Sequence, residues 1–146
     1  MFLKNKTKDM NMKKLVSTHY SQGIFNFAFL LTRLIFGVLM MHHGYDKLVH
    51  FSEIKSTFYN FLGMGSTASL LMVVFAEFFC ALFIVLGLFT RLAAVPLIIC
   101  MSVALFKVHK GDFFGDGQAA ALYLGVFVLF LLVGPGRVSV DGLASK

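Results

Sequence analysis

Residues 24–43 read IFNFAFLLTRLIFGVLMMHH, a run of twenty with one charge, Arg33, near its middle. A helix rises about 1.5 Å per residue, so such a run covers the roughly 30 Å hydrocarbon core of a bilayer. A second run of the same length, 68–87, carries one charge, Glu77. Two uncharged runs follow, 92–106 and 119–133. Each of these extends only about 22 Å, and reaches across if flanking side chains such as Arg91 and Lys107 snorkel to the interface. The pattern predicts an all-α fold, an integral membrane four-helix bundle. A secretory signal is the other reading of the first run. The run is too long for that, contains Arg33 and is followed by no small-residue cleavage pattern.

Composition agrees. Of 146 residues, 58% are hydrophobic and 14% charged, and the mean hydropathy is +0.83. Soluble domains are about 45–50% apolar and about 25% charged, so a soluble globular protein is excluded. The 18 Phe and 4 Tyr exclude disorder. One domain is expected, 24–141, between a basic tail, 1–23, and a short tail, 142–146. Residues 1–20 hold five Lys and one Asp, most of the net charge of +6. No basic stripe continues into the body, so nucleic acid is not expected as a partner. Cys80 and Cys100 lie inside apolar runs without a Cys-x-x-Cys pattern, and read as buried small apolar residues.

With the N-terminus inside, the inner side carries eight Lys and Arg and the outer side four. The positive-inside rule then places both termini in the cytoplasm. Met10 and Met12 are alternative starts to Met1, so no function is placed on residues 1–9. The link Leu88 to Arg91 is a tight turn that makes the second and third helices antiparallel neighbours. In the first outer loop Phe51, Ile54, Phe58, Phe61 and Leu62 recur near helical spacing. They predict a short amphipathic helix on the membrane surface, with a loop of scattered aromatics as the alternative.

A charge at bilayer depth costs about 2.5–3.5 kcal/mol on insertion scales and needs a partner or a purpose. Counted from the ends of their runs, Arg33 and Glu77 both lie about 14–15 Å from the inner face, and the expectation is that they pair. The pair either fixes helix register or floors a site for a proton, an anion or a polar headgroup. At about 100° per residue, Arg33, Gly37, Met40, Gly44 and Lys47 share one face of the first helix. Its glycines permit close helix approach. His43 flanks that face, and His42 lies opposite. His43 is either an interface residue or a proton-transfer group. With Lys47, Lys107, His109 and Lys110 it makes a polar cluster at the outer end. The cluster has no ligand spacing for a metal, so none is expected. No phosphate loop, dinucleotide fingerprint or catalytic triad is present.

Together these residues resemble a known family. Arg33-x-x-x-Gly37, His43-Gly44-x-x-Lys47-Leu48, Glu77 and Leu86-Gly87-Leu88-Phe89-Thr90-Arg91 are similar to the first- and second-helix signatures of the DoxX family. Met101, His109 and Gly134-Pro135-Gly136-Arg137-x-Ser139-x-Asp141 resemble its later features. Asn60 to Ser66 departs in lacking a proline common there. The resemblance spans roughly 24–141. It implies a multi-pass protein of the bacterial cytoplasmic membrane, similar to the membrane subunit of a thiosulfate:quinone oxidoreductase. The expected function is an oxidoreductase subunit handling quinone, or a small sulfur or thiol substrate, in a polar pocket at the outer half of the bundle. Arg33 and Glu77 would hold the substrate or couple protons, with His43, Lys47 and His109 at the mouth. The cofactor stays open, with quinone the candidate; membrane lipid is the expected partner, with quinone and a partner oxidoreductase subunit as candidates. The alternatives are a non-catalytic scaffold for partner enzymes and a small carrier or lipid-binding protein.

Overall fold

The computed structural model describes residues 19–144. Among these the chain is helical, with no strand. Helix α1 spans Gln22–Val49, α2 Phe51–Ile54, α3 Ser66–Leu86, α4 Thr90–Val108, α5 Gln118–Val133 and α6 Val140–Ala144. Helices α1, α3 and α4 are each long and apolar enough to cross a membrane. Helix α5 is apolar but has 16 residues, about 24 Å. The five tail lysines, Met10 and Met12 lie outside the described residues.

Ser21 starts α1, its hydroxyl accepting from the Ile24 N–H at 3.2 Å. From there the buried positions of α1 are Phe29, Arg33, Gly37, Met40 and Gly44. Their three- and four-residue spacing is one face of a helix. The rest of α1 exposes Ile24, Phe27, Leu31, Ile35 and Leu39. In water such a surface would aggregate; in a bilayer it meets hydrocarbon. With the Gln22 end of α1 as the lower end, α1 and α4 rise, and α3 and α5 descend. Phe29 packs edge-on to Phe130, and Phe36 to Tyr123. The enclosed core includes Ala81, Ile84, Ala94, Leu97, Leu105 and Phe127.

Two glycines set the geometry. A Cβ on Gly44 would lie 2.5 Å from the Phe78 nitrogen and 2.6 Å from the Glu77 carbonyl carbon. So α1 and α3 touch backbone to backbone there. Gly87 ends α3 in the left-handed region, φ 69°, the conformation glycine adopts at least cost. It passes so close to Arg33 that a Cβ would lie 2.7 Å from Nη1.

These contacts overturn the expected Arg33–Glu77 pair. Arg33 is level with Gly87 at the lower end of α3, whereas Glu77 is level with Gly44. The two levels are eleven residues apart on α1, about 16 Å. Counting depth from the ends of apolar runs assumed that both helices begin at one plane. Instead α1 extends below α3, and the glycine contacts decide the register. The turn between α3 and α4 is as tight as expected, since α4 begins at Thr90. The loop between α1 and α3 is not one amphipathic helix. It holds the four-residue α2 and a single tight turn at Phe61–Gly63.

Candidate functional site

The upper halves of α3 and α4 stand apart around a cavity of about 960 Å³. Leu71, Met72 and Phe75 form one wall, and Pro96, Ile99 and Val103 the other. Ile54, Phe58 and Phe61 from the loop between α1 and α3 roof it. Thus the aromatics whose spacing suggested a surface helix serve as a lid. Ser69 pins that lid, accepting from the Phe61 N–H at 2.9 Å and donating to the Gly65 carbonyl at 2.8 Å. Asn60 accepts from the Gly65 N–H at 2.9 Å.

Glu77, Lys47 and Cys100 line the cavity on its polar side, with His109. Lys47 Nζ donates to Glu77 Oε2 at 2.6 Å. The Glu77 side chain is 6% exposed and that of Lys47 26%. The Cys100 thiol donates to the other carboxylate oxygen, Oε1, at 3.7 Å. Both carboxylate oxygens are therefore engaged from different helices. Local backbone irregularity frames the site. Glu77 lies in a π-helical turn, Phe75–Cys80, inside α3, and a second such turn, Ala104–Val108, ends α4 below His109. Such turns recur at functional sites because the extra residue re-aims side chains. Pro96, inside α4, offers no N–H to the Leu92 carbonyl, which loosens the helix alongside the cavity.

Of the five residues singled out by sequence, three meet here: Lys47, Glu77 and His109. Arg33 does not. It is 2% exposed and donates through Nη1 to the Pro135 carbonyl and through Nη2 to the Val138 carbonyl, the latter at 3.0 Å. Asp141, from the same returning segment, receives the Phe89 and Thr90 N–H groups at 3.0 and 3.3 Å. It thereby caps α4. Arg33 and Asp141 together tie α1, the α3–α4 turn and the segment after α5. His43 is exposed and packs edge-on to Tyr123, 6.0 Å between centroids. It faces α5 and not the cavity, so its expected place at the pocket mouth is not observed. Cys100 is the cavity residue that sequence reasoning passed over. Its apolar neighbours made it read as filler, although it stands seven residues, two helical turns, before Lys107.

A bundle of apolar helices around one part-buried ion pair, with a roofed apolar chamber beside it, defines a multi-helix integral membrane protein. The chain belongs to the DoxX family, whose family model matches residues 28–110. That stretch includes Arg33, Lys47, Glu77, Cys100 and His109. The chain is 33% identical over 116 residues to an uncharacterised protein of Haemophilus influenzae, covering 75% of this chain and 84% of that one. It is 32% identical over 131 residues to an uncharacterised membrane protein of Mycobacterium tuberculosis, covering 78% and 79%. No solved structure matches it.

Proposed function

We propose that the protein is the membrane subunit of an oxidoreductase and that the upper cavity holds a quinone-type ligand. The observation that carries this reading is the Lys47–Glu77 pair at the polar side of an apolar chamber of about 960 Å³. Lys47, whose ammonium keeps donors beyond the one given to Glu77, would donate to a ring carbonyl. The Glu77 carboxylate would accept from a ring hydroxyl of the reduced, quinol form. The apolar walls take the hydrocarbon tail. Reduction of a quinone to a quinol takes two electrons and two protons. Of the two protons, the Lys47 ammonium would give one; the ionised Glu77 carboxylate would have to take up a proton, by way of His109 on the same cavity, before giving the second. The electrons come from a partner oxidoreductase subunit or from a small thiol substrate. Arg33 and His43 take no part in this step, because neither lines the cavity. The same reading has four spans, both termini in the cytoplasm, and residence in the bacterial cytoplasmic membrane.

Quinone extracted from protein purified in mild detergent tests the reading. Wild type should carry quinone near one per chain, and Lys47→Met should carry little. Wild type free of quinone, with a short-chain quinone binding equally to wild type and Lys47→Met, would sink it. Reporter fusions test the topology. A cytoplasmic signal from a fusion at Asn60, or a periplasmic one after Ala144, contradicts it.

A further inference from the structure

We propose that the lower end of the bundle binds an anionic phospholipid, with its phosphate held between Arg91 and Arg137. A second cavity, of about 840 Å³, opens there between the starts of α1 and α4 and the segment following α5. Its polar lining includes Arg91, Arg137, Gln22, Asn26 and Thr90. Arg91 gives Nη2 to the Leu132 and Val133 carbonyls at 3.3 and 3.5 Å. Its Nε and Nη1 make no hydrogen bond among the described residues. The Arg137 guanidinium makes none among them either, although its backbone N–H donates to Asn26 Oδ1 at 3.4 Å. Two guanidinium groups are thus available to one cavity, and guanidinium matches phosphate in a paired, planar geometry. The third donor is Thr90. It is 1% exposed, and its Oγ1 has no partner among the described residues. A buried hydroxyl without a partner costs free energy that a phosphate oxygen would recover.

Asp141 also lines the cavity and adds one negative charge. Both its oxygens already accept backbone N–H groups. The two cavity arginines outweigh it, so the local field favours an anion.

The apolar lining selects a lipid over a free phosphate ion. Phe89 is 61% exposed and Leu92 71% exposed, and both line the cavity with Phe25. An inorganic ion would leave these surfaces bare. The acyl chains of a lipid whose phosphate sits between the arginines would cover them. Cationic side chains beside exposed apolar ones at a helix end form the usual arrangement of an anionic headgroup site.

The test compares phosphatidylglycerol with phosphatidylcholine on full-length protein in mild detergent, by native mass spectrometry and thermal denaturation. Phosphatidylglycerol should be retained preferentially and raise the melting midpoint. Arg137→Gln should weaken its binding about fivefold, the usual effect of one basic residue near a membrane surface. Because the Arg137 side chain makes no hydrogen bond among the described residues, the lipid-free melting point of that variant should match wild type. Equal binding of the two lipids, or unchanged phosphatidylglycerol binding in Arg137→Gln, overturns the proposal. So does millimolar inorganic phosphate stabilising the protein as well as phosphatidylglycerol does, which would reassign the cavity to free anions. The outcome is independent of what the upper cavity binds.

Discussion

Lys47 and Glu77 share one ion pair but not one environment. Glu77 is nearly sealed, whereas Lys47 keeps 26% of its side chain exposed. Lys47→Met therefore strands a buried carboxylate and should destabilise by about 3–5 kcal/mol, as broken buried pairs do. Glu77→Gln leaves a lysine that can snorkel upward and a neutral amide that still accepts a hydrogen bond. It should cost less, about 1–3 kcal/mol. Unfolding in bicelles checks the order, and equal costs would mean that both groups are equally enclosed. Arg33 and Glu77, lying about 16 Å apart along α1, should be additive within about 0.5 kcal/mol in a double-mutant cycle. His50 offers a test by titration. Its ring Nδ1 meets the Asp46 carbonyl at 2.9 Å, and that bond and the Asp46 carboxylate raise its pKa. A raised folded value means that the interaction is fully present below the ordinary histidine value of about 6.5. It is lost as pH climbs through the folded value. Histidine resonances should report a midpoint above the ordinary one, lowered by Asp46→Asn; an unshifted midpoint would contradict the contact.

Among the helices, register decides what meets what, and glycine decides register. Alanine at Gly44 would drive a methyl group into the α3 backbone, so Gly44→Ala should cost about 1–3 kcal/mol, the range for overpacking. It should also move Lys47 away from Glu77. Gly125, in α5, has nothing within 4 Å of a Cβ. Gly125→Ala should therefore be neutral, or stabilise by up to about 1 kcal/mol. Thermal denaturation of the two variants makes the comparison, and the idea fails if both behave alike. The same contacts explain what was legible in the sequence. The four apolar runs and the Arg33–Gly37–Met40–Gly44 stripe follow from hydropathy and the 3.6-residue period, which are local. That Lys47 belongs to the polar face was equally local. Its pairing with Glu77 was not, because sliding α3 along α1 leaves both patterns intact. Cys100 was hidden for the same reason: an apolar run does not say which of its members faces a carboxylate on another helix. The lid over the cavity was legible as aromatics at intervals but not as a lid, since its shape depends on Ser69 and Asn60 holding a backbone turn.

The molecule as a whole is closed by the segment after α5. The motif Gly134-Pro135-Gly136-Arg137-x-Ser139-x-Asp141 was visible as a pattern, but nothing in it announced that its carbonyls would solvate an arginine on the first helix. That contact spans 102 residues, beyond the reach of any periodicity argument. It also gives assembly a direction. As the chain leaves the ribosome, α1 partitions into lipid with Arg33 lacking the acceptors it will finally use. An arginine without acceptors at the lower end of the spans carries a penalty of up to about 2.5–3.5 kcal/mol, the value at the bilayer centre. The nascent bundle is therefore held in debt until Pro135 and Val138 have been translated and have folded back. Chains stopped after Val133 would possess all four apolar helices and should still be cleared by membrane proteases. Chains stopped after Ala144 should accumulate, and pulse-chase labelling would distinguish the two half-lives. On that outcome the returning segment would mark completion, separating a finished copy from one that is only fully inserted.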